Sequence, residues 1–407
     1  MAGVEKRAGK ASSDPGWVIP QWWEETAEAI AYDSCTWPPP ITLVCGPGNS
    51  GKSTFSRLLL NTLLPRYKRV SYLDTDVGQP EFTTPGCVSL HIIDKQTPDL
   101  TILYLKTPER CLFFGDICAK KDPKVYLNCI FSLYDHFLSE CYQSTELDNP
   151  AKPMLPLVIN TSGWVKGIGY DMLVKMLRYM SPSHVVQIRI SAESKNLPTG
   201  TFWLNGSQKH SAKLFEICAA PKESLNRQVL IKKDACMIRD LRLIAYFRQC
   251  LPRDLDISTY QELVHSLALI PPCEVLLPRI KVQHLHCQPS SSDLYHGLDA
   301  TVVGLAISSW MPTSSEHCTP WCVGLGLVRA VDISKDILYL ITPVARSTLE
   351  KVDLLLRGSI EIPVCLLQGC RNSSPFMSRN VPQNFEQPEL DEHVARAEKQ
   401  LSELRFR

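Results

Sequence analysis

Apolar positions along this chain change period more than once. Ile41 to Cys45 (ITLVC) is a short continuous apolar run, followed by a glycine-rich turn and by KSTFSRLLLNTLL, whose apolar residues recur at helical spacing and stop before Pro65. Arg69 to Asp74 (RVSYLD) is a second strand-like run at the distance of a βαβ unit, which predicts two parallel neighbouring strands. Thr101–Leu105, Pro156–Asn160 and Val185–Ile190 read as further strands, with helices over Val125–Ser139 and Tyr170–Met180. Such alternation predicts an α/β fold, a parallel sheet with flanking helices on both faces, over residues 41–250. Residues 1–40 read as a tail containing Trp17, Trp22 and Trp23, a short helix from Glu24 to Ala31 and the rigid Trp37–Pro40 run. Beyond residue 250 the helical period fades. Prolines at 252, 271, 272 and 278 introduce short β-like runs, the last of them SIEIPVCLL from Ser359, and predict a smaller β-rich C-terminal domain over 251–372. Residues 373–407 read as a polar linker and a terminal amphipathic helix with apolar positions at Leu390, Val394, Ala397, Leu401 and Leu404.

Composition narrows the class. The 407 residues are 44% hydrophobic and 21% charged, a folding composition, and Lys+Arg 43 against Asp+Glu 42 gives a formal charge of +1, so any polyanion site has to be local. Sixteen scattered cysteines without a secretory leader read as reduced thiols, and no apolar run is long enough to span a bilayer. His284, His286 and Cys287, with His317, Cys318 and Cys322, lack the paired CxxC spacing of a zinc site.

The chemistry is local. Gly46-Pro47-Gly48-Asn49-Ser50-Gly51-Lys52-Ser53 fits GxxxxGK[ST] and sits between a strand and a helix that continues through Thr54. Its backbone N–H groups and the helix N-terminus suit phosphate, Lys52 adds a point charge, and the Ser53 hydroxyl suits Mg²⁺. A nucleoside triphosphate site follows, open among ATPase, GTPase and kinase. Asp74 and Asp76 end the next strand at the sheet edge where ligands bind, one placed to steer Mg²⁺ and one to accept a proton from an attacking hydroxyl. A third cluster runs from Asn160 to Tyr170, with Trp164 set among glycines at a strand exit, where it can stack on a base. A fourth, Arg227 to Arg248, holds six basic residues against two aspartates, and Arg239 and Arg242 share one helix face.

Together these clusters resemble the polynucleotide 5′-hydroxyl-kinase family, whose marks are a Walker A loop, a DxxQ motif, a TxGW clasp and an arginine-bearing lid. Here they read Gly46–Ser53, Asp76-Val77-Gly78-Gln79, Thr161-Ser162-Gly163-Trp164 and Ile238–Phe247, within the wider stretches DTDVGQPEFTTPG, FFGDICAKKDPKVY and NTSGWVKGIGYDML. The wording is nearer the nucleolar pre-rRNA branch than its sister branch in mRNA cleavage. The resemblance implies ATP and Mg²⁺ as cofactors, held by Gly46 to Thr54 with Ser53 and Asp74 at the metal. It implies Lys52, Asp76, Arg242 and Arg239 as catalytic groups, and Gln79, Thr161, Gly163 and Trp164 as substrate-binding groups. The implied partners are RNA 5′-hydroxyl ends and the endoribonuclease that cuts the pre-rRNA spacer, in the nucleus and its nucleolus. By its own pattern the terminal helix reads as a solvated helix, with partner docking the alternative. The family's lid arginines stand at RxxxR spacing, whereas Arg239 and Arg242 have one residue fewer between them. Only 45 residues precede Gly46, fewer than the β-rich domain the family carries there. A non-catalytic ATP-bound scaffold of an RNA-processing complex is the alternative reading.

Overall fold

The computed structural model describes residues 19–33, 37–97, 104–142, 154–204, 212–221, 235–252, 254–257, 259–286, 295, 297–310, 320–363 and 366. The terminal helix expected after Gln387, the expected linker, and Arg227, Lys232 and Lys233 of the basic cluster lie outside these residues.

In chain order the first part contains α1 (Gln21–Ala31), β1 (Ile41–Cys45), α2 (Lys52–Tyr67), β2 (Val70–Asp74), β3 (Cys87–Ile93), β4 (Arg110–Phe113), α3 (Pro123–Phe137), β5 (Leu157–Asn160), α4 (Ile168–Met180), β6 (His184–Arg189) and β7 (Lys213–Cys218). They form a seven-stranded sheet in the order β4-β3-β2-β5-β1-β6-β7. The five strands from β2 to β7 in that order are parallel, and β3 and β4 add an antiparallel edge. The expected α/β core is therefore present, with two differences. Strands β1 and β2 are parallel but not neighbours, because β5, buried along its whole length, needs a partner on each side and lies between them. Of the expected strand Thr101–Leu105, the first three residues lie outside the described set and Tyr104–Leu105 are not strand; β3 and β4 take up the chain on either side.

Alternation within the strands divides the core. Leu43 and Cys45 of β1 face a cluster built with α3 and α4, while Val44 faces α1 and α2 on the opposite side. Helix α2 runs past Pro65 to Tyr67, because a proline in the last turn forfeits a single backbone bond. It ends as the Lys68 N–H donates to the Leu64 carbonyl at 2.8 Å.

The second part holds α5 (Ala235–Arg248), α6 (Tyr260–Ala268), β8 (Cys273–Leu276), β9 (Lys281–His284), β10 (Thr301–Ala306), β11 (Cys322–Asp332), β12 (Ile337–Ile341), α7 (Arg346–Leu349) and β13 (Leu354–Arg357). The strands make a six-stranded sheet, β8-β12-β11-β10-β13-β9. Its last expected strand, SIEIPVCLL, is displaced: β13 forms earlier, and Ile360 packs into the core instead. Helix α6 was hidden in a stretch read as β-rich, although Thr259 and Glu262 form a capping box at its start. The two sheets share a core, in which Cys87, Cys111 and Phe113 of the first meet Leu325, Leu327 and Leu356 of the second, with Leu243, Ile244 and Phe247 of α5 packed among them. Helix α5, which carries Arg239 and Arg242, is thus part of the seam between the sheets. Among the described residues no helix is long and apolar enough to cross a membrane.

Candidate active site

The C-terminal edge of the first sheet gathers the predicted residues. In register, Val44 of β1, Asn160 of β5 and Asp74 of β2 stand level with one another. The insertion of β5 therefore brings the Asn160–Trp164 segment between the phosphate loop and the acidic strand end.

The loop from Gly46 to Ser53 leaves β1 and opens α2. Gly46 and Gly51 hold φ of 149° and 93°, in the region that favours glycine. A Cβ at Gly51 would meet the buried Trp23 ring at 2.6 Å, so α1 forms the floor of the loop. Trp23 is fixed in turn by donating its ring N–H to the Cys218 carbonyl at 2.9 Å. Helix α2 starts without a side-chain cap, and Ser50 Oγ is buried without a partner. First-turn N–H groups and an orphaned hydroxyl of this kind suit the oxygens of a phosphate chain. Lys52 is buried, and its Nζ donates to the Pro47 carbonyl at 2.9 Å across the loop. Burial pushes this ammonium below the usual lysine range, and the Asp76 carboxylate opposes that shift.

Asp74 is fully buried at the end of β2. Its Oδ1 accepts from the Asp76 amide and from Asn160 Nδ2, both at 3.2 Å, and its Oδ2 accepts from the Glu81 amide. Burial raises this carboxyl to about 7, against the lowering influence of the Glu81 amide, and the nearby Asp76 carboxylate raises it further. Asn160 Nδ2 also lies 3.4 Å from Ser53 Oγ, and Asn160 Oδ1 is buried without a partner. A serine hydroxyl, a carboxylate and a spare amide oxygen are hard oxygen donors, so the residues fit Mg²⁺. The chain's own sequence signals Asn160 only through its place at the end of an apolar strand; the register gives it its link to the metal position.

Asp76 begins the DxxQ turn. Its Oδ1 accepts from the Gly78 and Gln79 amides at 3.0 and 3.1 Å, which fixes the carboxylate and places Gln79 by its backbone. Helix α3 supports the turn, as the Tyr126 hydroxyl donates to the Thr75 carbonyl at 2.6 Å.

The clasp closes on the loop from the other side. Thr161 Oγ1 donates to the Val44 carbonyl at 2.8 Å, so this side chain anchors the clasp to β1. A Cβ at Gly163 would stand 2.5 Å from Gly48 Cα and 3.3 Å from Lys52 Nζ, a contact that only glycine permits. Trp164 is partly buried, with Gly169 close against its indole and the Lys120 ammonium 4.6 Å from the ring centroid.

Of the lid arginines, Arg239 is half-buried and Arg242 is buried. Arg242 Nη1 donates to the Glu81 carbonyl at 2.6 Å, which ties α5 to the segment after the DxxQ turn. Burial lowers its pKa from the usual arginine range, while Glu81 and Asp74 favour its charge. Glu81 also pairs with Arg57 of α2 at 3.0 Å. Arg57, Arg242, Glu81 and Asp74 thus lie near one another and join α2, the segment after the DxxQ turn and α5.

Comparisons with known proteins give the chain's family. Residues 46–249 match the model of the mRNA cleavage and polyadenylation factor CLP1 P-loop family, and residues 268–363 match that of the NOL9-like C-terminal domain. A relative from Arabidopsis thaliana, named polynucleotide 5′-hydroxyl-kinase NOL9, is 52% identical over 365 residues, covering 89% of this chain and 96% of its own. The Homo sapiens protein of that name is 27% identical over 408 residues, and this chain spans 55% of its length. Among solved structures, the wild-type Clp1p–Pcf11p complex contains a chain with a TM-score of 0.58 at 17% identity, covering 83% of this chain and 78% of that one. That likeness is one of fold. The level of Asp74, Asn160 and Val44, the glycine contact between clasp and phosphate loop, and the extended match to the plant relative lead to one conclusion: this chain belongs to the polynucleotide 5′-hydroxyl-kinase NOL9 family.

Proposed function

We propose that this protein transfers the γ-phosphoryl of ATP to the 5′-hydroxyl end of RNA. The observation that carries the reading is the approach of Gly163 to Gly48 and Lys52, which sets the clasp against the phosphate loop. Gly46 to Thr54 cradle the triphosphate, with Lys52 directed to its β- and γ-phosphates. Ser53 and Asp74 would hold Mg²⁺, which when bound supplies charge neutralisation at the phosphate oxygens. The terminal base rests on Trp164. Asp76, with one oxygen held by two amides, uses its other oxygen to orient the 5′-hydroxyl and take its proton as the oxygen bonds to the γ-phosphorus and ADP leaves. Gln79, Thr161 and Gly163 position that end of the strand. Arg239 and Arg242 are the lid's cations for charge on the transferring group; Arg242 does so by exchanging its bond to the Glu81 carbonyl for a phosphoryl oxygen.

The resemblance to the nucleolar branch supports a 5′-hydroxyl fragment of pre-rRNA spacer as substrate. It also supports the spacer endoribonuclease as partner and the nucleolus as the place. Incubation with γ-labelled ATP and matched 5′-hydroxyl RNA and DNA oligonucleotides tests the reading: label is expected on RNA, and label on neither strand overturns it.

Trp164→Ala isolates the stacking role. Stacking is worth about 1–3 kcal/mol per base, so the KM for RNA is expected to rise about 5- to 150-fold while the KM for ATP stays near wild type. Unchanged RNA kinetics would make Trp164 a packing residue only.

A further inference from the structure

The segment from Phe114 to Lys121 has no role in the reading above, yet it is built against the site from three directions. At the acidic turn, the space for a Cβ at Gly78 is closed by the Ile117 carbonyl at 2.9 Å. At the clasp, Lys120 places its ammonium 4.6 Å from the Trp164 ring centroid. From behind, the C-terminal sheet props the segment: His286, two residues beyond β9, shares a 2.6 Å hydrogen bond with the Phe114 carbonyl, and Gly358, just after β13, lies so close to Gly115 that a Cβ there would strike its carbonyl. The acids in and next to the segment are otherwise engaged. Asp116 Oδ1 accepts from the Cys118 amide at 2.8 Å, and Asp122, the residue after the segment, caps α3 by accepting from the Val125 amide at 3.0 Å. Lys120, Lys121 and Lys124 are exposed. A fixed loop therefore carries exposed cations past the residue on which the terminal base would stack.

We propose that Lys120 binds the phosphodiester on the 3′ side of the accepted nucleoside, and that it covers the Trp164 face until a strand arrives. This rests on the kinase reading of the site. A base has more surface to stack on an indole than an ammonium does, so the arriving base takes the ring face. The displaced ammonium then finds the strongest nearby anion one linkage along, the phosphodiester. Lys121 and Lys124 continue the cationic path along the strand. In this arrangement the C-terminal sheet serves the reaction by holding the strand-binding loop against both the clasp and the acidic turn.

The test is binding of a single-stranded 5′-hydroxyl RNA, labelled at its 3′ end, to the full chain at several salt concentrations. Loss of one phosphate contact on a single strand lowers the slope of log affinity against log salt by about 0.7, so Lys120→Ala is expected to show that decrease and Lys120→Arg to retain the wild-type slope. A neutral methylphosphonate at the first linkage is expected to weaken wild-type binding and to have no further effect on Lys120→Ala. A wild-type slope in Lys120→Ala, or an equal methylphosphonate penalty in both proteins, overturns the proposal. Because binding is read directly, failure of phosphate transfer by the wild-type protein would count against the kinase reading alone.

Discussion

Asp76→Asn is expected to lower kcat for phosphorylation of a 5′-hydroxyl end by about 10²- to 10⁴-fold, the range that a positioned general base contributes. The substitution separates chemistry from architecture. Oδ1 of Asp76 already accepts the Gly78 and Gln79 amides, and an asparagine carbonyl can accept the same two bonds, so the DxxQ turn keeps its shape. What is lost is the basic oxygen and the charge that helps keep the buried Lys52 protonated. ATP binding measured by calorimetry should persist, because the phosphate loop and the Ser53–Asn160–Asp74 group are untouched. Wild-type turnover in Asp76→Asn would reduce this residue to a turn former and move the proton acceptor elsewhere.

The second large effect is on stability. Glu81→Ala is expected to destabilise the fold by roughly 3–5 kcal/mol, as removal of one member of a buried ion pair does. Arg57 and Glu81 side chains are 2% and 11% exposed and lie 3.0 Å apart, so the substitution leaves a guanidinium inside the protein without its carboxylate. The measurement is the urea midpoint at constant slope. Arg57→Met combined with Glu81→Met should recover much of the loss, since the desolvation of both charges disappears together. The same single substitution should also weaken ATP-dependent activity. The Glu81 amide is a partner of Asp74 and its carbonyl is the partner of Arg242, so a shift of this segment disturbs Asp74 and α5 at once. A wild-type urea midpoint would show that the pair contributes nothing net.

Much of the site was legible in the sequence because each motif demands residue types that serve few other purposes. Gly46, Gly51 and Lys52 are set by phosphate chemistry and by local backbone conformation, both of which a short stretch of chain encodes. The parts that escaped are long-range. Nothing near Leu157–Asn160 says that this strand inserts between β1 and β2; only burial on both faces makes it central. Trp23, read within a tail, is the floor of the phosphate loop because Gly51 has no side chain to keep it away. Charge singles out the segment that holds Arg242 and the family resemblance makes it a candidate lid, but the partner of Arg242 is 161 positions away. Helix α6 carries a local signal, the Thr259–Glu262 capping box, but the prolines around it favour strands in the pattern. In the C-terminal sheet the β-rich character was legible, while the contacts of His286 and Gly358 with the Phe114–Gly115 backbone are long-range and have no local signal.

The most direct test of the central claim is a single-turnover assay with γ-labelled ATP, Mg²⁺ and a 5′-hydroxyl RNA, comparing the wild-type chain with Lys52→Ala. The account predicts label on the RNA 5′ end with the wild-type protein, and its loss when the ammonium that donates to the Pro47 carbonyl and is favoured by the Asp76 carboxylate is removed. Thermal stabilisation of the wild-type protein by ATP and Mg²⁺ with no label on RNA would contradict it, and would make this chain a nucleotide-bound scaffold.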